Sequence, residues 1–359
     1  MSTLETTLEA ILGDPLRDAR AHGAGLGYVG PDIPLDVLLA TGRPVCHLPW
    51  HADRATPFAD RWLESSFPGW ARSILEDWYV GRFGCLSQVV FSRACDASQR
   101  LYYYVCELQR RGDLDGPAAL IFDMALVPRE TSLLHTAAAV SKLCSQLGVG
   151  STALGQAIAR ANRQRHVFNE LQSARGDDGV IHERIARASL YADLAPVLEG
   201  QLLQHAPPTS GSAAVRKRRL VLAGSAPPDE RLHRAAASAG AVFVAEAHVH
   251  GLTRLGLPVD EATPDHSRAI AQQLRSSSIG PRSFLDRAAW LLDQARRAHA
   301  DAVVLWLTRE DEGLGWHVPA QRKVLEKAGL PALVLTGRHW SIDDGAGEAI
   351  AAFAAGGFA

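Results

Sequence analysis

QVVFSRACDASQRLYYYVCELQRRGDLDGPAALIFD, residues 88–123, is the stretch from which the rest of the chain can be read. A short, continuously apolar run stops at Arg93-Ala94-Cys95. Polar residues then open a helical stretch, Gly112 and Gly116 break it, and Pro117 leads into a second apolar run. Strands that are apolar throughout, rather than alternating, are buried on both faces, as in a parallel sheet covered by helices. The same succession returns at 301–337, DAVVLWLTREDEGLGWHVPAQRKVLEKAGLPALVLTG: strand, polar turn, helix, glycine break, Pro-Ala, strand. A duplicated strand–helix–strand unit explains both.

Working outward, RPVCHLPW (43–50) reads as a further strand, and Pro34 opens a helix that Gly42 ends. The spacing predicts strands over 85–95 and 118–125 and helices over 58–79, 96–110 and 129–148. GAGLGYVG (23–30) precedes a helix but follows no strand, so its glycines make a weak dinucleotide fingerprint. Two long helical stretches follow, 151–175 and 179–206; their mixed polar and apolar faces suit a bridge between domains. APPTSGSAA (206–214) has linker composition. A second series then brings strands at 219–225, 241–249, 302–308 and 331–337, with helices at 228–239, 264–277, 282–299, 319–328 and 344–354. The expected architecture is α/β: parallel-sheet domains over 26–150 and 216–359, joined by a helical connector over 151–206.

With 359 residues and 47% apolar content the chain can bury two cores. A formal charge of −2 gives no electrostatic footprint for nucleic acid or an acidic membrane, and the basic run VRKRRL (215–220) reads as a solvated domain edge. No apolar run is long enough to span a bilayer, and the first residues lack a secretory pattern. Five cysteines without short-range pattern make no disulfide framework and point to a reducing cytoplasm.

Ligands of open parallel sheets bind beyond the carboxyl ends of the strands. That edge is expected to gather Cys46, His47 and His51, then Cys95 and Asp96, then Asp123. The second unit adds Glu246, His248 and His250, then Arg309, Glu310 and Asp311, then Arg338 and His339. Cys95 is open to three readings: a metal or cluster ligand, a nucleophile, or packing. Cys85 begins the strand that Cys95 ends, so about 30 Å separates them and they share no site. Cys106 and Cys144 have the apolar neighbours of small core thiols. Cys46 with His47 or His51 and Cys95 would make a mixed metal site, although Pro49 keeps the two imidazoles of HLPWH off one helix face. HVHG places His248 and His250 on one strand face. Asp96 and Asp311 also suit helix N-caps.

Five segments, in order, resemble a known family: IPLDVLLATGRPV (33–45), VVFSRACDASQRL (89–101), IFDMALVPRE (121–130), GQAIARANRQRHVFNEL (155–171) and VPAQRKVLEKAGLPALVL (318–335). The chain resembles the 2-hydroxyacyl-CoA dehydratase and benzoyl-CoA reductase family, on the dehydratase D-component side. The family's helix motifs fall at 34–42, 157–163 and 319–331, its strand-ending Cys-Asp at Cys95-Asp96, and its Val-Pro turn at Val127-Pro128. The resemblance implies two tandem flavodoxin-like domains, a homologous partner subunit, an ATP-hydrolysing electron activator and an acyl-CoA substrate. It also implies a 4Fe–4S cluster held between the domains on three cysteines, which reduces the thioester.

Carried over position by position, the strand-end ligand is Cys95. The first ligand position, about 30 residues earlier, offers Ser65 and Ser66, and the third offers Asp311. Two of the three thiolates are absent. The expectation is therefore a subunit that carries no cluster of its own and supports a cluster-bearing paralogue. An alternative is an independent enzyme in the same cleft, with Cys95, Asp96, His248, His317, Glu310 and Asp311 as candidates. Another is an acyl-CoA or metal-binding protein whose Arg43, Arg93, Arg254, Arg309 and Arg338 pair with phosphate.

Overall fold

A computed structural model describes residues 3–173, 178–202 and 217–356. Its framework is two four-stranded, all-parallel sheets with the same strand order. The first contains β1 (Gly25–Val29), β2 (Val45–His47), β3 (Leu86–Ser92) and β4 (Ala118–Phe122), in the order β2-β1-β3-β4. The second contains β5 (Arg218–Gly224), β6 (Ala241–Ala247), β7 (Ala302–Thr308) and β8 (Ala332–Arg338), in the order β6-β5-β7-β8. Helices flank both sheets, so the two flavodoxin-like units and their helical connection are present. The strand order reverses between β1 and β3, and again between β5 and β7. Each reversal leaves a crevice at the carboxyl edge.

The duplicated stretches occupy equivalent places, as third and fourth strands. Their register agrees at the site end: Arg93 N–H donates to the Phe122 carbonyl (3.1 Å), and Arg309 N–H to the Arg338 carbonyl (3.1 Å). Counting on from these bonds makes Cys95 and Asp311 structural equivalents.

β1 lies within GAGLGYVG, where no strand was expected. It is a fully buried strand between β2 and β3. Its glycines are dictated by neighbours: a Cβ on Gly25 would lie 2.6 Å from Ala19 Cβ, and one on Gly27 2.8 Å from Leu48 Cδ2. The single helix expected over 58–79 is two, Pro57–Trp62 and Gly69–Tyr79, with Pro68 at the start of the second. Likewise the helix expected from 179 divides into Gly179–Ala188 and Ala195–Leu202; Asp193 caps the second through Ala195 N–H (3.0 Å), and Pro196 lies in its first turn. The linker expected over 206–214 and the remainder of that helix to 206 lie outside the described residues, as do the first two residues of the basic run.

The connecting helix Ser151–Ser173 bridges the halves, as its mixed faces suggested. Arg165 forms a two-pronged ion pair with Asp36, at 2.9 and 2.7 Å, and donates to the Leu255 carbonyl (3.1 Å). Asn162 binds the Val259 backbone through both its amide oxygen and nitrogen, at 2.8 Å each. The motif arginine that matters is thus Arg165, two residues past the 157–163 segment. Helix His266–Ser277, which lies in sequence between β6 and β7, packs on the first sheet: Ile270 and Leu274 share a core with Tyr28, Val90 and Val140. A second core joins Val29 and Phe91 of one sheet to Leu222 and Trp306 of the other. No described helix is long and apolar enough to cross a membrane.

Candidate functional site

The two crevices face each other across one cleft. Gly30 and Pro31 follow β1, Cys95 follows β3, Ser225 and Ala226 follow β5, and Asp311 follows β7; all line it. His47 and Trp50 enter from β2, His248 and His250 from β6, and Trp340 from β8. Gly224 turns the chain at the end of β5 with φ +109°, and a Cβ there would strike the Trp306 carbonyl oxygen.

Cys95 ends the extended segment and is followed by helix Asp96–Arg111. Burial pushes its thiol up to about 11; the amides of Ser98 and Ala97 favour the thiolate, while the charge of Asp311 opposes it. At neutral pH the thiol is protonated. Opposite it, the Asp311 carboxylate accepts from the Ser225 hydroxyl, which itself accepts from Thr308 N–H (3.0 Å). Burial raises the Asp311 carboxyl above its usual range, and the bonds from Ser225 and Thr308 partly counter this.

Neither acid caps a helix through its side chain. Asp96 instead pairs with Arg282 (3.0 Å) and Arg100 (3.6 Å). Burial lowers His47 to about 4, and its Nδ1 lies 2.8 Å from the Leu48 carbonyl, so that nitrogen carries the proton. Burial lowers His250 well below the usual imidazole range, helped by His47, His248 and Arg254. Its ring stacks on Trp50 at 4.9 Å. His248 accepts from His250 N–H at Nδ1 (3.3 Å), and its Nε2 is 3.8 Å from Glu246 Oε2. Both imidazoles lie just beyond β6, not within it.

The structure separates other candidates from the cleft. Alternation along β2 sends His47 to the cleft and Cys46 into the core, where burial pushes the thiol up to about 12. Cys46 therefore cannot complete a site with Cys95. His51 sits with Arg82 (2.6 Å) and Asp77 (3.7 Å). Glu246 is engaged by His233 (2.9 Å). Glu310 is not among the cleft residues; its carboxyl is raised by burial, and Arg309 is 3.7 Å away.

Four arginines read as phosphate partners are occupied. Arg43 binds Ser87 (2.7 Å), Arg93 binds Asp123 (2.6 Å), Arg309 faces Glu310, and Arg338 donates to the Asp344 carbonyl (3.2 Å). The sequence reading missed Arg287, Trp50, Trp70, Ser225 and Trp340. Ser225 and Trp50, each the last residue of an expected strand, carried a positional signal; Arg287, Trp70 and Trp340 did not. Arg287 is 7% exposed and donates to the Ile279 carbonyl (3.3 Å), the Gly280 carbonyl and Ser283 Oγ (3.3 Å).

The donors do not fit a cluster held on three thiolates. Cys95 is the one thiol in the cleft. Ser65 and Ser66 are exposed on the connection after helix Pro57–Trp62, where Ser66 accepts from Arg100 (3.1 Å). Asp311 is a hard donor already bound by Ser225. Among the described residues, no three His, Cys, Asp or Glu side chains are placed to hold a metal ion.

A family model described as 2-hydroxyglutaryl-CoA dehydratase, D-component, matches residues 32–353. No curated protein matches the chain.

Proposed function

The chain belongs to the 2-hydroxyglutaryl-CoA dehydratase D-component family, and from that premise we propose that it supports a homologous, cluster-bearing subunit of a 2-hydroxyacyl-CoA dehydratase or benzoyl-CoA reductase-like complex. The observation that carries this reading is the opposition of Cys95 to Asp311. Two equivalent strand ends meet in one cleft with a single thiol between them. Low-potential iron–sulfur chemistry in such a complex then belongs to the partner, fed by an ATP-dependent activator. This chain contributes a preformed cleft wall, a neutral thiol and a half-buried carboxyl group.

The test is iron and acid-labile sulfide per chain on anaerobically purified protein, alone and co-expressed with a cluster-bearing paralogue. We expect no stoichiometric iron on the chain alone, and a full cluster in the complex that survives Cys95→Ala. About four irons per isolated chain, the content of one cubane cluster, would overturn the reading.

A second reading, acid–base chemistry by this chain itself, is favoured by one observation. Asp311 is a half-buried carboxyl, held by Ser225 and raised above its usual range, in one cleft with a protonated thiol.

A further inference from the structure

A lobe beside the main cleft shares its His47 and His250 walls and is otherwise bounded by residues including Tyr28, Arg165, Leu190 and Arg254. Two guanidinium groups reach this lobe, and their circumstances differ. Arg165 spends its charge on Asp36. Arg254, in the one-turn helix Leu252–Leu255, donates through Nη2 to the carbonyl and hydroxyl oxygens of Ser189, both at 2.9 Å. Its Nε and Nη1 are buried and have no acceptor in full hydrogen-bonding geometry, although the Tyr28 hydroxyl approaches the guanidinium closely. Its guanidinium lies 5.6 Å from the Phe168 ring. Among the described residues no carboxylate lies within ion-pair distance of it.

Burying a cation without a counterion costs several kcal/mol even after relaxation. An unmet guanidinium facing a cavity is therefore the signature of an anion's place. The surroundings define the anion. His47 and His250 are neutral and Arg165 is paired with Asp36, so Arg254 is the lobe's cation without an ion-pair partner, with the Glu246 charge acting on it only from beyond ion-pair distance. Asp32, also in the lobe and bonded to Ser278 (2.6 Å), would repel a second negative charge. The Tyr28 hydroxyl reaches the Leu190 carbonyl only at 3.5 Å, and it lies close enough to Arg254 that each alters the other's titration. It already faces the guanidinium that would hold the anion, so both groups can address one ligand oxygen. Ile33, Leu190 and Leu274 supply apolar wall.

We propose that this lobe binds a small monocarboxylate with an apolar body, its carboxylate held by Arg254 Nη1 and the Tyr28 hydroxyl. The site belongs to this chain alone and does not depend on the partnership proposed above.

Isothermal titration of the full chain with sodium isovalerate, its neutral analogue isovaleramide and inorganic phosphate tests this. Isovalerate should bind saturably, with the amide and phosphate much weaker. Arg254→Met should weaken isovalerate about 10- to 100-fold, the range for losing a charged hydrogen bond. Tyr28→Phe should weaken it several-fold and serves as the deciding variant if Arg254→Met does not fold. No saturable isovalerate binding in the millimolar range, equal affinity for the amide, tighter phosphate binding, or unchanged affinity in these variants would each overturn the proposal.

Discussion

Cys95 is held as a thiol by two separate effects, and each can be removed by experiment. Desolvation is the larger, and the Asp311 charge adds to it. The rate of alkylation of Cys95 by iodoacetamide, followed by mass spectrometry, should therefore keep rising with pH towards about 11 instead of levelling near the ordinary thiol value. Removing the neighbouring negative charge favours the thiolate, so Asp311→Asn should lower the midpoint and speed alkylation at pH 8 several-fold. A plateau by pH 9, or no change in the variant, would contradict this picture. Both residues were legible in the sequence because each follows an apolar strand in a repeated pattern. Arg287 was not, because it begins a helix remote in sequence from every strand end it serves. Arg254 was named on charge alone; its missing acceptors are visible only once its neighbours are placed.

At the scale of elements, the bridging helix Ser151–Ser173 depends on a buried charge pair whose side chains are 4% and 1% exposed. Removing one partner leaves the other uncompensated. Arg165→Met should therefore lower stability by about 3 kcal/mol, read from the midpoint of urea unfolding. Asp36→Asn combined with it should cost less than the sum of the two single changes, since the pair is lost only once. Strict additivity would mean that the two side chains act separately. Most strands and helices were readable from apolar runs and their punctuation. β1 was hidden because two of its five residues are glycine, and glycine weakens any strand pattern. Its packing comes from Ala19, Leu48 and Leu86, whose side chains fill the space that β1 leaves.

Across the whole molecule, the repeated pattern disclosed two sheets but not how they interlock. The apolar stripe of helix His266–Ser277 says that the helix is half-buried; nothing in it says which sheet it covers. It covers the first, and the core containing Phe91 and Trp306 runs under both. Thermal unfolding should accordingly be one transition, with calorimetric and van't Hoff enthalpies equal. A fragment ending at residue 150 lacks Ile270 and Leu274 over its sheet and should aggregate. Two resolved transitions would show that each half stands alone.

That crossing helix also constrains how anything enters the cleft. Tandem α/β units suggest jaws that swing apart on a hinge. Here a segment of the second unit is buckled onto the first, and swinging the jaws would strip Ile270 and Leu274 from the core they share with Val90. A hinge opening of the two units therefore carries the cost of exposing that shared core. The chain presents a fixed socket, and a partner or ligand must match the shape already there.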